Sequence, residues 1–172
     1  MNKQKYPVLQ KFLKENRDSI LQNWIEQTIN TYKPEMIRFL KKEKNQFSNP
    51  VRNTIFSSLE KIIDSMINGI GVEEYHGLED MIKLRAVQEF SPSEALSFIF
   101  GLKKIIRKEL LESYQDDQII SEACIMDEKF DTLYALAFDI YNDCRVKIHE
   151  IKMAEIKYRS ERAINILNKK KN

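Results

Sequence analysis

Ser91, Pro92 and Glu94 mark a helix start as firmly as any residues in this chain. Ser91 reads as the N-cap and Pro92 takes the first helical position, where its missing N–H costs nothing. Glu94, three residues past the cap, completes a capping box. Beyond it, Leu96, Phe98, Ile99, Phe100, Leu102, Ile105, Ile106, Leu110 and Leu111 present an apolar surface wider than one packed stripe needs. A helix of that kind is buried on more than one side, so the chain must supply other elements to flank it.

Those elements also read as helices, and no alternation of polar and apolar residues lasts long enough for a strand. Leu9, Leu13, Ile20, Leu21, Trp24, Ile25, Thr28 and Ile29 give a first helix from about Val8 to Thr31. Pro34 restarts the chain into a second, carrying Met36, Ile37, Phe39 and Leu40. Asn49 with Pro50 repeats the cap-and-proline signal, and apolar residues from Val51 to Ile70 follow at helical spacing until Gly69 and Gly71 close the element. A fourth helix is expected from about Glu73 to Gln88, with Gly77 weakening its first turn. The fold expected is therefore all-α, a bundle of about six helices, in one domain of 172 residues.

After the polar run SYQDDQ, a long helical pattern runs from about Asp117 into the tail. Phe130, Leu133, Tyr134, Ala137, Tyr141, Cys144, Ile148 and Ile151 recur at three and four residues, close to a coiled-coil seam. Tyr141, Cys144, Ile148 and Ile151 are thus the expected homodimer interface. Past Ile151 the phase shifts to Ile156, Ala163, Ile164 and Leu167. From Arg145 onward nine basic residues against three acids leave +6, so the rest of the chain carries −4. Residues 1–150 are accordingly read as the body and 151–172 as a basic helical extension of the same domain. The tail is either a solvated face or a docking surface for an acidic partner.

Charge and motif content narrow the function. A net charge of +2 does not point to nucleic acid. No apolar run approaches the roughly 18 residues needed to span a bilayer, and no secretory leader is recognisable, so a cytoplasmic location is expected. GxGxxG, Walker and GxSxG signatures are missing from the sequence, and only His76 and His149 are available for acid–base work, so catalysis is not expected. Cys124 and Cys144 lie twenty residues apart; on one helix that is about 30 Å, so they should be free thiols within a subunit. The acids Glu73, Glu74, Glu79, Asp80, Glu128 and Asp131 do not repeat the ExxH pairs of a di-iron bundle, so no metal site is expected. His76 opens a helix roughly where a globin keeps its proximal haem ligand, which leaves a haem-binding gas or redox sensor as the alternative. Acids and Gly77 surround it in EEYHGLED, and His149 reads as solvated.

The stretch Arg85, Ala86, Val87, Gln88, Phe90, Ser91, Pro92, Ser93, Glu94, Ala95, with Phe98, Leu102 and Lys103, resembles the RsbRD N-terminal domain family. These are helical sensory or regulatory domains of bacteria, freestanding or ahead of STAS and histidine kinase domains. The resemblance extends more loosely to the helix around Trp24 and to the long C-terminal helix. It implies a globin-like fold without haem or other cofactor, a dimer, and signal transmission by protein–protein contact. For freestanding relatives it implies a partner among membrane redox complexes, and otherwise a downstream signalling protein; a structural accessory subunit of a redox complex stands as a rival reading. Within the motif, Arg85 either pairs with Glu89 or Glu94 to fix the interhelix corner, or with Gln88 orients a small acidic ligand or a partner's carboxylate.

Overall fold

The computed structural model describes residues 7–42, 48–68, 75, 77–113 and 117–171. Within them the chain forms seven helices: α1 (Pro7–Glu15), α2 (Arg17–Ile29), α3 (Pro34–Lys42), α4 (Pro50–Ile67), α5 (Leu78–Val87), α6 (Pro92–Ser113) and α7 (Asp117–Lys171). There is no strand among the described residues, so the architecture is an all-α bundle with a long C-terminal helix.

Four helices begin where the sequence places them, α3 at Pro34, α4 at Pro50, α6 at Pro92 and α7 at Asp117, and two of these starts are capped as expected. The Asn49 side chain accepts from the Arg52 backbone N–H at 2.9 Å, with Pro50 at the first helical position. Glu94 accepts from the Ser91 backbone N–H at 2.9 Å, while the Ser91 hydroxyl faces the Glu94 N–H at 3.4 Å, closing the capping box. The expected first helix is two. At Asn16 the backbone leaves helical geometry (φ −107°, ψ 11°), and the side-chain amide donates to the Phe12 carbonyl at 2.9 Å. A short polar side chain that satisfies a backbone acceptor offers the chain an alternative to continuing the helix.

The fourth expected helix starts later than Glu73. Tyr75 is non-helical and buried, and α5 begins after Gly77, which adopts φ +93°. A Cβ built there would lie 2.6 Å from the Ser58 carbonyl oxygen, so glycine is required both by its conformation and by the close approach of α4. Gly69 and Gly71, expected to close α4, lie outside the described residues.

α6 runs through the middle. Leu96, Phe98, Ile99, Leu102, Ile105, Ile106 and Leu110 are buried against α2 on one side and α7 on the other. Phe100 and Leu111, read as part of that apolar surface, stay about half exposed; Phe100 stacks on Tyr134 of α7 with ring centroids 4.0 Å apart. Trp24 of α2 is fully buried and donates its indole N–H to the Phe98 carbonyl at 2.6 Å, joining a large apolar body to a satisfied polar tip. Glu122 of α7 accepts from the Leu9 N–H at 2.7 Å, so a carboxylate from the long helix caps the start of α1. Lys103 and Arg107 of α6 pair with Asp127 of α7.

The seam expected for a dimer faces inward over most of its length. Phe130, Leu133, Ala137 and Tyr141 are buried in the chain's own core, and Cys144 and Ile148 are half-buried against it. Only Ile151, at 68 % exposure, is free. The reason is that α5 and α6 both need α7 to cover their apolar faces, and one heptad-like stripe is consumed in doing so.

Candidate functional site

α5 carries one residue that an ordinary helix would not bury. Arg85 sits on the same face as Leu78, Met81, Ile82 and Ala86 and is 0 % exposed. The expected ion pair with Glu89 or Glu94 is not made. One terminal nitrogen donates to the Glu94 backbone carbonyl at 2.7 Å and to Ser97 Oγ at 3.2 Å. The other donates to Thr31 Oγ1 at 2.8 Å and to the Thr28 carbonyl at 3.4 Å. Three rings surround the guanidinium: Phe90 at 5.0 Å, Phe98 at 5.3 Å and Tyr32 at 5.4 Å from ring centroid to Cζ.

The charge is therefore held by neutral acceptors and aromatic faces, with no carboxylate in ion-pairing range among the described residues. Burial pulls the Arg85 pKa below its ordinary value, offset in part by Tyr32 and, at a distance, by the Glu94 carboxylate. Burial likewise raises the Tyr32 phenol, and the nearby Arg85 charge opposes that shift. Several polar atoms around this corner are buried and unpartnered: Arg85 Nε, the Tyr32 hydroxyl, Thr28 Oγ1 and Gln88 Oε1. Buried polar groups are normally satisfied, so a cluster of unpartnered ones around a desolvated cation makes this corner the candidate site.

The turn between α5 and α6 is shaped around the same corner. Glu89 adopts φ +62°, the one non-glycine residue with positive φ among the described residues, at a cost of about 1–2 kcal/mol. Phe90 packs edge-on against Tyr32, with centroids 5.0 Å apart. The turn is also tied to α7 at three points. Tyr141 donates its hydroxyl to the Phe90 carbonyl at 2.6 Å, Arg145 donates to the Ala86 carbonyl at 3.2 Å, and Lys152 meets the Glu89 carboxylate at 3.2 Å.

Of the residues singled out in the sequence, Arg85, Gln88, Ser91 and Glu94 thus converge on one corner. Arg85 and Gln88 contribute buried polar groups, while Ser91 and Glu94 build the helix start. Tyr141 belongs to this corner through its hydroxyl, and Cys144, Ile148 and Ile151 continue along α7 away from it. Thr28, Thr31 and Tyr32 were not legible as partners, because they come from α2 and its C-terminal turn, over fifty residues upstream. His76, the alternative haem ligand, lies outside the described residues. Cys124 and Cys144 are free thiols, and His149 is exposed. No group of three or more metal-ligating side chains stands together among the described residues, and no described helix is long and apolar enough to cross a membrane.

No curated protein and no solved structure matches the chain. The family described as the RsbT co-antagonist protein rsbRD N-terminal domain matches residues 18–155, from the start of α2 through the motif and along α7 beyond Lys152. The match takes in the whole Arg85 corner and its ties to the long helix, and the chain belongs to this family of regulatory domains.

Proposed function

We propose that the chain is a non-catalytic cytoplasmic regulatory module that dimerises through α7 and passes the state of the α5–α6 turn along that helix to a partner protein. Residues 1–150 act as the sensing body and 151–172 as its basic output extension. The observation that carries the reading is the triple tie of Tyr141, Arg145 and Lys152 to the turn. A rearrangement of Phe90, Ala86 or Glu89 would alter a contact with Tyr141, Arg145 or Lys152 of that one helix.

That helix then leaves the body. Every residue from 151 to 168 is exposed, including Ile151, Met153, Ile156, Ile164 and Leu167 at 51–68 %. With the first stripe spent on the core, a second one faces outward. Val146, His149, Met153, Ile156, Ser160, Ala163 and Leu167 alternate at three and four residues, a strict heptad pattern over about 32 Å. Two copies aligned in parallel along this stripe would cover its apolar members, and His149 and Ser160 within the seam would set the register.

Light scattering tests the dimer. The chain should run at twice its 20.4 kDa mass, and the double variant Met153→Glu, Ile156→Glu should run as a monomer with its helical content intact, since both side chains lie on the exposed part of α7. A variant that remains dimeric would refute pairing through this stripe.

A further inference from the structure

We propose that the pocket between the α2–α3 and α5–α6 turns binds a small organic monocarboxylate, with Lys33 and Tyr32 taking its anionic end in the field of Arg85 and Met36 and Phe90 receiving its apolar part. The proposal deepens the regulatory reading by naming the class of effector, and its output rests on that reading. The pocket encloses about 480 Å³, within the range of roughly 300–1,000 Å³ usual for small-molecule sites. It lies directly against the turn that α7 reads.

Charge selects the ligand. Two carboxylates line the pocket, Glu89 and Glu94, and both are engaged. Glu89 pairs with Lys152 at 3.2 Å, and Glu94 accepts from the Ser91 hydroxyl at 2.7 Å and from its backbone N–H at 2.9 Å. The cations are not engaged in the same way. Lys33 on the lip makes no ion pair among the described residues, and Arg85 behind Tyr32 has only neutral acceptors. A buried charge without a counter-ion is costly, and an incoming anion lowers that cost.

One polar group left over fits the same class. Tyr32, only 7 % exposed, offers a hydroxyl without a partner that can donate, whereas the orphaned Gln88 oxygen is itself an acceptor and does not help to hold an anion. The Tyr32 hydroxyl and the Lys33 ammonium are the two donors offered to one carboxylate. Of the remaining lining, the Thr31 hydroxyl is already engaged by Arg85 and the Thr28 carbonyl, while Met36 and the Phe90 and Tyr32 rings are apolar and favour a ligand with an organic part. Glu89 and Glu94 line the same pocket and repel a dianion about twice as strongly as a monoanion, which disfavours phosphate.

Isothermal titration of the full chain at constant ionic strength tests this with sodium benzoate and sodium hexanoate as probes, against benzamide and inorganic phosphate. At least one carboxylate should bind saturably with Kd at or below about 1 mM, and benzamide and phosphate should bind at least about tenfold more weakly. Lys33→Glu and Tyr32→Phe should each weaken the carboxylate by about tenfold or more; the first alters an exposed side chain and the second keeps the ring, so both should fold. Absence of saturable carboxylate binding up to about 10 mM, equal binding of benzamide or phosphate, or unchanged affinity in both variants would each overturn the proposal. Because the pocket lies within one chain, binding is read independently of the dimer. A monomer that binds benzoate would sink the α7 pairing alone, and a dimer that binds neither carboxylate would sink the ligand alone.

Discussion

Arg85→Met separates a residue kept for its site from one kept for stability. The substitution keeps a long side chain of similar reach and removes the charge. It deletes four hydrogen bonds, yet the acceptors survive the loss. The Thr28 carbonyl still receives the Thr31 hydroxyl at 2.7 Å and the Thr31 N–H at 3.2 Å, and the Glu94 carbonyl still receives the Ser97 hydroxyl at 2.7 Å. No buried acceptor is newly orphaned, so the usual penalty for breaking a buried polar network does not apply in full. Against the lost bonds and ring contacts stands the desolvation of a cation with no counter-ion, whose removal is worth several kcal/mol. The two sides nearly cancel, and urea denaturation should place Arg85→Met within about 1.5 kcal/mol of wild type. Arg85→Ala differs because it also leaves a void beneath Phe90 and Phe98, and it should cost about 2–4 kcal/mol. A loss above about 3 kcal/mol for the methionine variant would show that the neutral acceptors compensate the charge fully, and that Arg85 is a structural clamp.

Other positions test the frame around the site. Gly77→Ala should destabilise by about 3 kcal/mol or more, because the added Cβ meets the Ser58 backbone oxygen at 2.6 Å and the Ser58 Cα at 2.8 Å while φ is +93°; thermal unfolding measures it. Ser91→Ala should cost about 1 kcal/mol by loss of the N-cap, with α6 fraying first in hydrogen exchange. Glu94 is held below the ordinary carboxylate pKa of 4.5, first by the Ser91 hydroxyl and then by its backbone N–H. Its contribution is therefore present above the unfolded-state pKa and lost as pH falls through the depressed folded value. An acid titration of stability should show this loss in wild type and its absence in Glu94→Gln.

Local chemistry was the readable part of this fold. Asn49–Pro50 and Ser91–Pro92–Ser93–Glu94 announce helix starts by side chains that bond within three residues, and the structure realises both. The Asn16 break and the Gly77 conformation depend on a single side chain and on the approach of α4, which periodicity cannot register. Arg85 stood out as a charged residue beside an apolar face, but a nearby glutamate in sequence suggested an ion pair. The actual partners are carbonyls, hydroxyls and rings brought from α2 and α6 by tertiary packing. The α7 seam shows the same limit. Its spacing is real, but spacing alone cannot tell whether a stripe covers the chain's own core or a second chain. Past Ile151 the apolar residues change phase, and Ile156, Ala163, Ile164 and Leu167 of that shifted set all lie on the exposed part of α7.

If the proposed signalling route is right, the α5–α6 turn and α7 move as one coupled unit. Hydrogen exchange on wild type and Phe90→Ala measures this directly, because the substitution removes the ring that holds the turn against Tyr32. The account predicts faster exchange at 86–94 accompanied by faster exchange along 141–152 of α7, with α2 and α4 protected as in wild type. Exchange that accelerates in the turn and leaves 141–152 unchanged would contradict it.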